Sequence, residues 1–188
     1  NILDIGSGTG HHVAEFTSKG YKAQGIDISP SMVKVSKDKY PSSKYTVSDA
    51  LNGMSFPQQS FTHLTCLYFT IYYIENKRQF FENCYNWLAP GGYLLLHLVD
   101  RDNFDPILPA GDPLTIISAQ KYAKERITSS VVKFNGYDYR ANFDYQPKKD
   151  LALLNEEFKK NKTGDIRKNE HILYMPTQKY ILSLAKDI

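Results

Sequence analysis

The chain has 188 residues, room for one ordinary domain with a real core, and its 41% hydrophobic and 23% charged content is that of a soluble globular protein and argues against disorder. A net charge of +3, from 23 basic and 20 acidic side chains with no block of like sign, is too weak a footprint for nucleic acid. The aromatic share is 13%, with 14 Tyr and 10 Phe, and much of it falls in two stretches taken up below.

Ile2, Leu3 and Ile5 form a first short strand that ends in the turn Gly6–Gly10. His11–Lys19 then carries Val13, Ala14 and Phe16 at helical spacing, and Gly20 stops that helix. A second strand, Tyr21–Ile28, runs into Ser29-Pro30, a cap followed by proline at a first helical position, so a helix is expected over Ser31–Lys39. Tyr45–Val47 reads as strand three and Phe61–Tyr68 as strand four, whose unalternating His63–Tyr68 run suits a strand covered on both faces. Gln79–Leu88 has Phe80, Cys84, Tyr85 and Leu88 on one helical side, Pro90-Gly91-Gly92 turns the chain, and Tyr93–Val99 is strand five.

The second half reads differently. Arg101–Gly111 is loop-like and Leu114–Arg126 is a helix candidate. Strict alternation follows, with Tyr137, Tyr139, Ala141, Phe143 and Tyr145 on one face and Asp138, Arg140, Asn142, Asp144 and Gln146 on the other, the mark of a half-buried antiparallel strand. Ser130–Phe134 is its expected hairpin partner through Asn135-Gly136, Glu170–Met175 is a third short strand, and Thr177–Lys186 a closing helix.

No run is long and apolar enough for a membrane span, and none reads as a signal peptide. The chain opens inside a strand pattern, so a preceding segment, with any targeting signal, is expected to lie outside it. Cys66 and Cys84 stand in no metal-binding spacing, so no metal is expected; Cys66 reads as a buried free thiol, which suits a reducing, cytoplasmic setting.

The chemistry concentrates in the first turn. A glycine-rich loop between strand and helix brings backbone N–H groups and the helix's partial positive charge to an anionic group such as a phosphate or carboxylate. The dinucleotide spacing G-x-G-x-x-G would need glycine at 11, where His11 stands; the actual spacing is Asp4-x-Gly6-x-Gly8-x-Gly10. An acidic residue two before the first glycine has no role in the dinucleotide pattern, whereas a carboxylate there can meet the ammonium of an amino-acid-like ligand.

Ile2–Gly10 resembles the first motif of class I S-adenosylmethionine-dependent methyltransferases, and three further motifs follow in order: Gly25-Ile-Asp27-Ile-Ser29, Ser48-Asp49-Ala50 and Leu88-Ala-Pro-Gly-Gly92 before a hydrophobic strand. The resemblance covers about the first hundred residues. It implies a Rossmann-like three-layer α/β/α sandwich with parallel strands in order 3-2-1-4-5, an antiparallel β insert after strand five, and terminal sixth and seventh strands missing from this chain. The expected organisation is one methyltransferase domain, with residues 1–100 as the cofactor-binding core and 101–188 as an acceptor-side insert.

The same resemblance implies S-adenosyl-L-methionine as cofactor and S-adenosyl-L-homocysteine as product. Asp4, Gly6, Ser7, Gly8, Thr9 and Gly10 would face its methionine end, Asp27, Ile28 and Ser29 its ribose, Asp49 and Ala50 its adenine, and Tyr68 the cleft. Tyr68, Phe69 and Tyr72 are candidates for the acceptor wall, and Arg140, with Arg167, for an acidic acceptor. Absent signatures at strand four disfavour adenine-N6, protein-glutamine and cytosine-C5 methylation.

The expected reaction is in-line methyl transfer to an O or N atom of a small molecule. Positioning supplies most of the acceleration, so no catalytic residue is fixed by the sequence; His12 and Tyr72 are candidates to assist as base. Met32 reads as core, and His63 and His97, lying in strand patterns, as structural. Methylation of RNA or protein, and a cofactor-binding module without activity, are the competing readings; a nicotinamide oxidoreductase is disfavoured by the glycine spacing. The aromatic face of the insert also fits a homodimer contact.

Overall fold

The computed structural model describes residues 1–107 and 123–188, so most of the expected helix Leu114–Arg126 lies outside the described residues. The chain divides into two compact units, Asn1–Val99 with Gln178–Ile188, and Asp100–Thr177. The closing helix therefore groups with the first unit.

The first unit is a five-stranded parallel sheet in the order β3-β2-β1-β4-β5, built from β1 (Ile2–Ile5), β2 (Ala23–Asp27), β3 (Lys44–Val47), β4 (Phe61–Cys66) and β5 (Leu88–Leu96). This is the order the sequence implied. Strand β5 starts earlier than expected because Leu88 already pairs with Phe61; Pro90-Gly91-Gly92 is an irregularity within the strand rather than a turn before it. The helices are α1 (His11–Ser18), α2 (Pro30–Lys39), α3 (Lys77–Trp87) and α4 (Gln178–Lys186). Ser29 Oγ caps α2 by accepting from Met32 N at 3.3 Å, with Pro30 at the first helical position. Asn76 caps α3 in the same way by accepting from Gln79 N.

Register puts Asp4, Gly25, Tyr45, Thr65 and Leu95 on one face of the sheet and Leu3, Leu64, Leu94, Ile5 and Ile26 on the other. Val13 of α1 and Val33 of α2 are buried with Tyr45 against the first face, joined by Ala23 and Tyr40. Trp87 and Phe80 of α3 are fully buried, as are Ile181 and most of Leu184 of α4, and the two helices pack together. Met32, expected in the core, is 45% exposed, because α2 turns Val33 and Ser36 inward instead.

The second unit is a four-stranded antiparallel sheet, β6 (Ser129–Phe134), β7 (Tyr137–Gln146), β8 (Leu151–Lys160) and β9 (Ile166–Tyr174), in sequence order. The expected alternation holds: Tyr139, Ala141 and Phe143 are buried while Arg140, Asn142 and Asp144 are exposed. Asn135-Gly136 makes the first hairpin, with Gly136 at φ +106°. Strand β8 was not foreseen; it pairs along its whole length with β7 and along most of it with β9.

Candidate functional site

Chain order and sheet order reverse between β1 and β4, so the helices that follow these two strands leave on opposite faces and a crevice opens between their carboxyl ends. The residues singled out from the first motif to Tyr68 lie around that crevice, at the ends of β1, β2, β3 and β4.

The turn after β1 is held open by specific bonds. Gly6 N and Ser7 N both donate to Ile26 O at 2.9 Å, and Gly10 N donates to Ser7 O. Gly10 sits at φ +86°, and a Cβ there would lie 2.7 Å from Ser36 Cβ and from the ring and hydroxyl of Tyr45. Only glycine fits, and Tyr45 uses the closeness by donating its hydroxyl to Gly10 O at 2.8 Å. Gly8 differs: its φ is +53°, but a Cβ would meet nothing within 4 Å, so the turn presents bare backbone to open space.

Asp27 at the end of β2 braces this turn. Its Oδ2 accepts from Gly8 N and its Oδ1 from Ser29 N, each at 2.9 Å, tying the first loop to the α2 cap. Its side chain remains half-buried, and a carboxylate with two such bonds has lone pairs left for hydroxyl donors. Ile28 beside it is 68% exposed. Asp49 after β3 is exposed and accepts from Leu51 N at 2.8 Å. The loop it stands on is pinned from α3, where Asn83 Nδ2 donates to Ala50 O at 2.9 Å and Trp87 Nε1 to Gly53 O at 3.2 Å.

Asp4 is the buried charge of the site, only 2% exposed. Thr65 Oγ1 donates to its Oδ1 at 2.6 Å, and His12 Nδ1 stands 4.0 Å from its Oδ2. Burial raises its pKa above the usual carboxylate range; the Thr65 bond and His12 pull the other way, and Asp27 adds to the rise. Ser7 Oγ, also buried, has no hydrogen-bond partner among the described residues. A buried carboxylate with Thr65 as its one side-chain hydrogen-bond donor, an orphaned hydroxyl and a bare glycine turn suit the ammonium and carboxylate of an amino-acid moiety, and Asp27 and Asp49 suit a ribose and an adenine beyond it. The residues present therefore fit S-adenosylmethionine.

On the β4 side, Tyr68 has φ +54°, a left-handed conformation costing a residue of its size about 1–3 kcal/mol, and its side chain is 64% exposed. Phe69 is half-buried, its ring 5.9 Å from that of Tyr73. Tyr72, expected at the acceptor wall and as a candidate base, is fully buried. Its hydroxyl is engaged with the Val99 backbone, accepting from N at 3.0 Å and donating to O at 3.3 Å, and burial raises its pKa. It braces the segment that follows β5, and no part of it is exposed to a ligand. Cys66, at the end of β4, is also fully buried; burial and then the nearby Asp4 charge push its thiol up to about 12, so it is no nucleophile. Arg140 belongs to the second unit, on the exposed face of β7 opposite Val131 and Glu157. His97, expected from the sequence as a structural strand residue, is exposed, its imidazole 6.3 Å from the Tyr68 ring. The sequence carried no signal for this, since the apolar Leu94–Val99 run extends past the observed end of β5 at Leu96.

Residues 3–96 match the family model of a methyltransferase domain, half of the chain. The chain belongs to the class I S-adenosylmethionine-dependent methyltransferase family. It is 29% identical over 111 residues to the phosphoethanolamine N-methyltransferase of Plasmodium falciparum, covering 55% of this chain and 42% of that one. It is 32% identical over 104 residues to a demethylmenaquinone methyltransferase of Chlorobaculum parvum, covering 54% and 42%. These curated relatives are thus matched over less than half their own length. A crystal structure of an S-adenosylmethionine-dependent methyltransferase from Clostridium acetobutylicum superposes with a TM-score of 0.76 at 16% identity, over 98% of this chain and 70% of that one, and shares the fold.

Proposed function

We propose that this protein transfers a methyl group from S-adenosyl-L-methionine to an oxygen or nitrogen of a small-molecule acceptor. The observation that carries the reading is the arrangement at the carboxyl edge: buried Asp4, bare Gly8, and Asp27 bonded to both Gly8 N and Ser29 N. Small acceptors are named for the relatives, a demethylmenaquinone and a phosphoethanolamine.

In this reading Asp4 pairs with the methionine ammonium, and the Gly6–Gly10 turn with Ser7 and Thr9 holds the carboxylate end. Asp27 accepts from the ribose hydroxyls, Ile28 and Ser29 flank the sugar and base, and Asp49 with Ala50 meets the adenine amine. When bound, the cofactor supplies an electrophilic sulfonium methyl. The chain's task is then to hold the acceptor in line, which is worth up to roughly 7–11 kcal/mol. Tyr68 and Phe69 wall the crevice where the acceptor enters. His12, half-exposed, stands beside Asp4 at the cofactor's amino-acid end.

Calorimetry with S-adenosylmethionine, S-adenosylhomocysteine and NAD tests the reading. Both sulfur compounds should bind and NAD should not; NAD binding alone would overturn it. Asp27→Ala should weaken S-adenosylhomocysteine by about 10- to 100-fold, because charge-assisted bonds and the brace on Gly8 are lost together. Unchanged affinity would remove Asp27 from the site.

A further inference from the structure

Three ring side chains stand together on the β4–β5 side of the crevice. The Tyr68 ring is 5.7 Å from the ring of His12 and 6.3 Å from that of His97, tilted 41° and 48° to them. His12 comes from the start of α1, Tyr68 from just after β4 and His97 from just after β5, so three separate segments converge. His97 is fixed in place by its backbone, whose N–H donates to Cys66 O at 3.0 Å. Among the described residues neither the His97 imidazole nor the Tyr68 hydroxyl has a hydrogen-bond partner. Tyr68 is also held in left-handed backbone, a conformation kept where surroundings or function require it.

The charge of the edge narrows what can sit there. The segments leaving the five strands, residues 6–12, 28–30, 48–52, 67–70 and 97–99, contain no Lys and no Arg. Among the described residues at these strand ends and the segments that leave them, the fixed charges are the carboxylates of Asp4, Asp27 and Asp49. Such an edge repels phosphate and carboxylate acceptors and attracts a cation, which an exposed aromatic face also favours. A protonated amine fits both features, but it has no free lone pair and must lose a proton before it can be methylated.

We propose that the acceptor is an amine, that its nitrogen sits against the Tyr68 ring, and that His97 takes its proton. In that step one N–H bond of the ammonium breaks, its electron pair stays on the amine nitrogen, and the proton bonds to an unprotonated imidazole nitrogen of His97. His12 lies on the other side of Tyr68, beside Asp4, and is the neighbour of the cofactor's amino-acid end rather than the proton acceptor. This assignment rests on the methyltransferase reading above and adds to it the acceptor class and the base.

The test uses the full chain with histidine rings labelled for NMR, first saturated with S-adenosylhomocysteine as measured by calorimetry. Benzylamine, ethanolamine and methyl 4-amino-4-deoxyglucoside are then added, each against the matching alcohol, with ethyl phosphate as the anionic control. The amines should shift the His97 and Tyr68 ring signals, and the alcohols and phosphate should not. With S-adenosylmethionine, amine turnover should fall about 100-fold or more in His97→Ala, while its S-adenosylhomocysteine affinity stays within about twofold. Tyr68→Phe should keep amine binding and Tyr68→Ala should lose it. Failure of the wild type to bind S-adenosylhomocysteine overturns the cofactor reading. Cofactor binding without an amine response at His97, turnover of alcohols or phosphates in preference to amines, or full amine turnover in His97→Ala overturns this one.

Discussion

Asp4 and Glu156 are both carboxylates turned toward the covered face of a sheet, one in each unit, and they are treated in opposite ways. Asp4 has one close partner, Thr65 at 2.6 Å, and its pKa is raised, with burial the largest cause. Burial also pushes Glu156 up, but hydrogen bonds with Tyr139 at 2.8 Å and with Asn169 and His171 at 3.2 Å outweigh it and hold its carboxyl below the usual range. Around Glu156 the antiparallel sheet pairs its polar side chains with one another and is stabilised by those bonds. The parallel sheet buries Asp4 beside a single side-chain hydrogen-bond donor, Thr65, and leaves Ser7 Oγ without a partner among the described residues, which weakens the empty fold.

The comparison can be broken at its glycines first, where the effect is largest. Gly10→Ala drives a Cβ against Tyr45 and Ser36 at φ +86°, whereas Gly164→Ala in the β8–β9 turn meets nothing at φ +73°. Denaturant unfolding should show a loss of about 3 kcal/mol for the first and about 1 kcal/mol for the second. Equal losses would mean that the cofactor loop is no more tightly built than a surface turn.

The carboxylates come next. Asp4→Asn should weaken S-adenosylhomocysteine by about 10- to 100-fold, yet raise the melting temperature of the unliganded protein at neutral pH. The sign follows from the raised pKa. The folded state prefers protonated Asp4, so its charge costs stability, and that cost appears as pH climbs from the unfolded value of 3.8 through the higher folded one. The gap between wild type and variant should vanish in acid and widen toward neutrality.

Glu156→Gln should act in the opposite direction, lowering stability at neutral pH by about 1 kcal/mol. Its folded pKa lies below the ordinary 4.5, so its contribution is present above that value and is lost as pH falls through the folded one. Two melting curves that move the same way at neutral pH would erase the contrast. Tyr139→Phe, which removes one of the Glu156 bonds, should have the smallest effect, about 0.5–1 kcal/mol, measured by the same melts.

Much of this was legible beforehand, for a physical reason. The parallel unit announces itself through local signals, each confined to one strand, one turn and one helix start: Gly6–Gly10, Ser29-Pro30, Pro90-Gly91-Gly92. The Tyr137–Tyr145 alternation was equally plain. Strand β8, Leu151–Lys160, was not, because Leu-Ala-Leu-Leu-Asn-Glu-Glu-Phe lacks alternation and is rich in helix formers; its state is decided by the strands on both sides of it. Within the site, the turn and strand-end positions follow from the backbone, whereas the aromatic ones depend on packing. Tyr68 and Tyr72 lie four residues apart in one aromatic run, yet one is exposed and the other fully buried, and only the short helical turn Thr70–Tyr73 separates their fates. His97 was placed in the sheet by its apolar neighbours, although it stands one residue past the end of β5.

Trp87 is the chain's one tryptophan; it is fully buried, and its indole N–H donates to Gly53 on the loop that carries Asp49. A movement of that loop would change this hydrogen bond and the surroundings of the indole. In the proposed reading this puts a fluorophore beside the adenine end of the cofactor. If the nucleoside sits there as proposed, emission from Trp87 should follow its occupancy in real time, without a label and without knowledge of what is being methylated.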